Sequence, residues 1–252
     1  MMQITSITAP NPGPFTLDGT RTWLLGRAAV IDPGPVIASH IDAIRKALPD
    51  LQTIFITHRH EDHAPAAIPL KAATGARIVA PEGVFDSADV RVGGGESFEV
   101  EDVKLEVIAT PGHTREHVCY MTSRGELFTG DTVLGTGTTA IFPPDGNMAD
   151  YFRSLKLLRA RNPKVILPAH GPTRDDAATL LDEYIAHRLE RERQVIEALE
   201  QGARTIPEMR RRIYPDLDPR LGRAAEDQML AHLIKLLDEG RVANKGDRYE
   251  LA

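Results

Sequence analysis

The sequence predicts a layered α/β domain followed by a small unit of helices and a hairpin, and three observations carry that prediction. Up to about residue 171, short β-branched runs alternate with helical patterns and with loops rich in Gly and Pro. Near His187 the text changes to long stretches of helical periodicity crowded with Glu and Arg. The last residues then return to two short strand-like runs around a glycine turn.

In chain order, strands are predicted over Trp23 to Leu25, Ala29 to Ile31, Ile54 to Thr57, Ile78 to Ala80, Val103 to Ile108, Val118 to Met121, Leu127 to Thr129 and Val165 to Leu167. Between them, helices are predicted over Ile37 to Ala47, Ala66 to Ala73 and Met148 to Arg159, the last with Tyr151, Leu155 and Leu158 on one face. Leu180, Leu181, Tyr184, Ile185, Leu189, Ile196 and Leu199 recur at helical spacing. They predict one long helix from Arg174 to Glu200, stopped by Gly202. A short helix from Ile206 to Ile213 ends near Pro215, and a longer one from Gly222 to Glu239 ends at Gly240. Arg241 to Ala243 and Tyr249 to Leu251 flank the turn Lys245-Gly246-Asp247. Three helices followed by a hairpin read as a winged helix, so the chain divides into residues 1–188 and a winged-helix-like unit, 189–252.

Composition bounds the function. With 42% hydrophobic and 26% charged residues the chain is an ordinary globular protein rather than a disordered or fibrous one. No apolar run approaches the roughly 18 to 20 residues that cross a bilayer, and Met1 to Pro14 lacks a basic start followed by an apolar core. A cytoplasmic protein with no membrane partner is the expectation. The one cysteine, Cys119, can close no intrachain bridge, which agrees with a reducing compartment. The net charge of −6, from 30 basic and 36 acidic residues, supplies no global field for nucleic acid or anionic lipid.

The segment Thr57-His58-Arg59-His60-Glu61-Asp62-His63 follows the apolar strand Ile54 to Ile56 and carries four strong metal-ligand candidates, His58, His60, Asp62 and His63. A strand end opening into a loop can aim alternate side chains into one cleft, so His58 and His60 can share a metal while Asp62 and His63 turn to a second. Three more candidates stand beside glycines at later strand ends: His113, Asp131 and His170. Layered α/β folds gather their sites at the carboxyl ends of strands, which is the placement a shared cleft requires. A buried histidine is commonly a satisfied core group, and His40, His117, His187 and His232 are assigned there. His117 is also a candidate for orienting a ligand.

This pattern resembles the metallo-β-lactamase superfamily, whose His-x-His-x-Asp-His signature is followed by a single His, an Asp and a His. The resemblance implies an αββα sandwich with two zinc ions per chain. One would sit on His58, His60 and His113, the second on Asp62, His63 and His170, and Asp131 would bridge them. Asp32, in Ile31-Asp32-Pro33-Gly34, would support the ligands from behind. It further implies hydrolysis by a metal-bound hydroxide, because two zinc ions roughly 3.5 to 4 Å apart bring the pKa of a shared water from about 16 toward 7. Asp62 and Asp131 are the catalytic carboxylates on this reading, with Asp62 orienting the water. His60 stands where the two-iron redox branch typically has Glu, and Asp131 where the best-known β-lactamases have Cys or Ser. Zinc hydrolysis is therefore favoured, with β-lactam cleavage at most a side activity.

Asn11 to Thr20, Gly130 to Thr139 and Glu183 to Arg188 are similar to the β-lactamase-like protein 2 family over essentially the whole chain. That resemblance implies either an endoribonuclease acting on single-stranded RNA, towards which it leans, or a hydrolase of small acyl esters, thioesters or lactones. The tail from Glu190 to Ala252 has 12 basic and 13 acidic residues, a net charge of −1, so it is no nucleic-acid module by charge. The run Arg210-Arg211-Arg212 is expected to be a solvated face, and the tail either to wall the cleft or to form a homodimer interface. The loop from Gly135 to Thr139 carries small hydroxylated residues suited to contact substrate or to a tight turn.

Overall fold

The computed structural model describes residues 1–218 and 221–252. Strands β1 (Ile4–Thr8), β2 (Arg21–Leu25), β3 (Ala29–Ile31), β4 (Thr53–Phe55), β5 (Arg77–Pro81) and β6 (Val90–Val92) form one six-stranded sheet in that order. Strands β7 (Ser97–Val100), β8 (Val103–Ala109), β9 (Val118–Thr122), β10 (Glu126–Gly130) and β11 (Val165–Pro168) form a five-stranded sheet ordered β11-β10-β9-β8-β7. Helices α1 (Ala38–Ala47) and α2 (Ala67–Thr74) cover the outer face of the first sheet. Helix α3 (Met148–Ala160) and the start of α4 (Ala177–Glu200) cover that of the second.

The two-residue period of a strand builds these four layers. In β2, Trp23 and Leu25 enter the core between the sheets while Leu24 faces the helices; in β4, Phe55 points inward and Ile54 outward. Phe55 meets Phe98 and Tyr120 edge-on, each at 5.3 Å between ring centroids, which ties the sheets together. Outside the second sheet, Tyr151, Leu155 and Leu158 of α3 pack with Leu180, Leu181 and Tyr184 of α4. The αββα order is thus what alternating and helical apolar patterns produce when each buries its own face.

The boundary at residues 188/189 lies inside α4, which is continuous. Its first half packs on the second sheet. Its second half, through Val195, Ala198 and Leu199, joins a separate core with α5 (Ile206–Ile213), α6 (Gly222–Asp238) and the hairpin of β12 (Val242–Lys245) and β13 (Arg248–Leu251). A capping box between Thr205 and Glu208 starts α5. Deleting residues after Gly202 would leave Val195, Ala198 and Leu199 facing water. We expect the truncated protein to aggregate, and recovery of soluble, metal-loaded protein in the wild-type amount would show that the tail is an independent module.

The sequence patterns miss three strands. In β1, β6 and β7 most side chains are only half-buried or exposed, because β1 and β6 are the edges of one sheet and β7 is an edge of the other. Helix α4 begins three residues later than expected, since Arg174 instead makes a β-bridge with Ile166. Cys119 lies in the core, where burial pushes its thiol up to about 12. Native protein should therefore resist a thiol reagent at neutral pH and react once unfolded; rapid native labelling would contradict this burial.

Candidate metal centre

The site is assembled at one edge of the sandwich from loops that leave β3, β4, β8, β10 and β11. Two glycines permit the close approach. At Gly112, with φ 143°, a Cβ would lie 2.4 Å from Tyr151 Cα; at Gly130, with φ 47°, it would lie 2.6 Å from Thr57 Oγ1. Each glycine immediately precedes a site residue, His113 or Asp131.

All seven residues singled out in the sequence converge, in two groups. His58 Nε2 lies 2.9 Å from His60 Nδ1, which is 3.0 Å from His113 Nε2. In the second group Asp62 Oδ2 is 3.4 Å from His63 Nε2 and 3.2 Å from His170 Nε2. Asp131 stands between them. Its Oδ1 lies 3.4 Å from His63 Nε2 and 3.2 Å from His170 Nε2, while its Oδ2 is 3.5 Å from His113 Nε2. His58, His60, His113 and Asp131 form one set able to hold a metal ion, and Asp62, His63 and His170 another.

The surroundings set the tautomers. Asp32, buried at the end of β3, accepts from Thr57 N (2.8 Å), Thr57 Oγ1 (2.7 Å) and His63 Nδ1 (2.9 Å). Because the Thr57 hydroxyl spends its proton on Asp32, it accepts from His58 Nδ1 at 2.9 Å. His113 Nδ1 donates to the Ala140 carbonyl at 2.8 Å and His170 Nδ1 to the Gly19 carbonyl at 3.3 Å. In all four imidazoles the nitrogen turned away from its support is Nε2, and it faces the site.

Charge completes the fit to a metal. His63 Nε2, His170 Nε2 and Asp131 Oδ1 are buried without a hydrogen-bond partner, an expensive arrangement unless a cation satisfies them. Burial disfavours charge on His63 and His170. Asp62 and Asp131 outweigh it, raising His63 well above the usual histidine range and His170 to about 9. Burial holds His58 well below that range and His60 at about 4, with neighbouring imidazoles adding to it. The set calls for positive charge at its centre and supplies lone pairs to receive it.

Sequence reading placed Asp32 behind the ligands but did not identify Thr57, whose signal was only its position before His58. His117, left open in the sequence, accepts from the backbone N–H of Asp131 at Nε2 (3.3 Å) and stacks on His58 at 4.9 Å. It supports the site without facing it. His40 is buried with its Nε2 2.9 Å from Thr22 Oγ1 but its Nδ1 without a partner, and His187 Nδ1 and both ring nitrogens of His232 are likewise buried without one, so none of the three is the satisfied core group the sequence suggested.

Residues 16–85 and 80–170 match the Metallo-beta-lactamase superfamily, and residues 205–250 match the Beta-lactamase associated winged helix domain. The chain belongs to the metallo-β-lactamase superfamily. Among the relatives of this superfamily member, a Beta-lactamase-like protein 2 homolog from Caenorhabditis elegans is 34% identical, covering 96% of this chain and 86% of that one. An Atrochrysone carboxyl ACP thioesterase from Aspergillus chevalieri is 31% identical over 96% of this chain and 83% of its own. A beta-lactamase domain protein from Burkholderia ambifaria shares the fold with a TM-score of 0.84 at 20% identity, covering 99% of this chain and 91% of that one. The superfamily chain is thus a metallo-β-lactamase-fold hydrolase with a C-terminal winged helix. Among its described residues no helix is long and apolar enough to cross a membrane.

Proposed function

We propose that the protein hydrolyses an ester or thioester of an apolar acyl group, using two zinc ions held by the seven residues above. The observation that carries this reading is the cleft in front of the site. It measures about 500 Å³, is lined by His60, Asp62, His113 and Asp131 at its floor, and contains no Lys or Arg among the described residues that line it. Apart from the threonines near Asp131 and at Thr16, and from Gln228, its walls are mainly apolar: Phe15 meets Phe142 edge-on at 6.1 Å, and Leu217, Leu221 and Ala225 close the side formed by the tail. Phe15, 58% exposed, and Leu221, 44% exposed, leave an apolar rim at the mouth. A strand of RNA needs cations along its phosphates, whereas an acyl chain needs this surface.

When bound, the two ions would supply a nucleophilic water at neutral pH and polarise the acyl carbonyl. The chain's own groups position the rest. Asp62, kept well below the usual carboxylate range by His63 and His170 against the opposing effect of burial, stays ionised and can only accept hydrogen bonds. It is held by the Thr20 hydroxyl at 3.1 Å, so it orients a water at the cleft floor. Thr136 to Thr139 form the cleft wall next to Asp131, and Thr139 Oγ1 donates to the Asp131 carbonyl at 2.9 Å. The relatives named thioesterases support the same class of substrate.

Protein loaded with two zinc equivalents should hydrolyse acyl thioesters, KM falling by up to roughly fourfold per added methylene until the cleft is full, as expected for about 0.8 kcal/mol per buried CH₂. Turnover should be nearly flat with salt. Cleavage of unstructured RNA, weakening by roughly 0.7 log units per tenfold salt for each phosphate held, with thioesters left intact, would replace this reading by the nuclease one.

A further inference from the structure

Between the second half of α4 and helices α5 and α6 lies a chamber of about 170 Å³, lined by His187, Arg188, Arg191, Tyr214 and His232 among others. It shares Thr138, Tyr214 and Gln228 with the wall of the acyl cleft. No carboxylate is among its described lining residues.

Arg188 is the unusual group. It is only 2% exposed and makes no ion pair among the described residues. Its Nη1 donates to Gln228 Oε1 at 3.0 Å, its Nη2 donates to Thr138 Oγ1 at 2.7 Å and to the Thr139 carbonyl, and its face covers the Tyr151 ring at 5.2 Å. Those contacts are all neutral, and Nε has no partner. Among the described residues Arg191 donates to Gln194 Oε1 at 2.7 Å and lies over the Tyr214 ring at 4.5 Å, and the carboxylate its charge acts on, Glu190, is exposed outside the chamber. His232 is 2% exposed with neither ring nitrogen hydrogen-bonded, and His187 Nδ1 is also buried without a partner. The buried glutamate of α4, Glu192, is already engaged by Lys235 at 2.6 Å and Arg241 at 2.8 Å.

A buried guanidinium without a counter-charge is costly, and protein interiors retain one where something else supplies the charge. We propose that the chamber binds an oxyanion, a carboxylate or phosphate group, which neutralises Arg188 and Arg191 and accepts hydrogen bonds from His187 and His232. Guanidinium groups suit such a ligand because their N–H fork matches its oxygens. Burial, then Arg188, Lys235, His187 and Arg191, push His232 down to about 3, so it enters as a neutral donor rather than a further cation. Arg188 also links the chamber to the metal site: it holds Thr138 and Thr139, and Thr139 bonds the Asp131 backbone.

The test titrates inorganic phosphate into the zinc-loaded protein while following the side-chain ¹⁵N signals of His187 and His232. A saturable shift of both is expected, with affinity about tenfold weaker in Arg191→Gln. Arg191 is half-buried at the chamber wall, and a thermal melt confirms that the variant folds. Phosphate bound at the metals would instead move His113 and His170 and be indifferent to Arg191→Gln; that pattern, or no saturable shift at millimolar phosphate, overturns the proposal. A second arm, which alone rests on the acyl-hydrolase reading, compares KM for an acyl thioester ending in a carboxylate with its neutral analogue. If the anion belongs to the substrate, Arg191→Gln raises that KM ratio about tenfold. An unchanged ratio with the histidine shifts retained assigns the chamber to a separate small anion. Histidine shifts in a protein that cleaves no thioester uphold the chamber and refute the acyl-hydrolase reading.

Discussion

Asp131→Ala is expected to lower turnover by more than the roughly 100-fold that bounds the loss of an outer hydrogen-bond partner, and to reduce bound metal at both positions. The reason is its place. One carboxylate oxygen faces His63 and His170 while the other faces His113, so a single side chain serves both groups. Its charge, held well below the usual carboxylate range by His63 and His170 despite burial, is the anion that both ligand sets share. His113→Ala and His170→Ala remove one ligand from one group each and should each weaken a different ion. Elemental analysis beside turnover separates the cases: an Asp131→Ala protein with two ions and full activity would refute the shared role, and one iron with no zinc in the wild-type protein would refute the metal assignment.

Asp32→Asn should weaken metal binding by about 10- to 100-fold without unfolding the chain. The carboxylate accepts three hydrogen bonds, two of them from Thr57 and one from His63. An amide keeps the shape, but with its NH₂ in the place of Oδ2 it can accept from neither the Thr57 hydroxyl nor His63 Nδ1. The imidazole then moves its proton to Nε2, where the lone pair for a metal should be. Asp32→Ala would in addition leave buried donors unpaired at about 1–3 kcal/mol each, so its melting temperature should fall while that of Asp32→Asn changes little. A competitive chelator titration and a thermal melt check both; wild-type metal affinity in Asp32→Asn would show that Asp32 does not set the tautomer.

Much of this centre was legible in the sequence because coordination chemistry is local. His58, His60, Asp62 and His63 lie within one loop after a strand, and His113, Asp131 and His170 each stand at a strand end beside a glycine. The layered fold was legible for a similar reason, since a two-residue or helical period over a short run reports which face is buried. Edge strands β1, β6 and β7 escaped, because a strand with a solvated face and one neighbour carries little apolar pattern.

The sequence left the substrate open between single-stranded RNA and a small acyl ester, thioester or lactone. Phe15, Phe142 and Leu217 line one cleft although they lie far apart along the chain, and the tail that contributes Leu217 and Leu221 carries its own core to hold them there. The bond from Arg188 to Thr138, 50 residues away, likewise depends on how α4 crosses the loop from Gly135 to Thr139. By itself the sequence determined the layered α/β class, the seven ligand candidates and the helical tail, since each is written in segments of a few residues. The apolar cleft, the relay from Asp32 through Thr57 to His58 and the cationic chamber were decided only by the tertiary structure, because they arise where sheet, helix and tail pack together, and no local periodicity encodes a contact between distant segments.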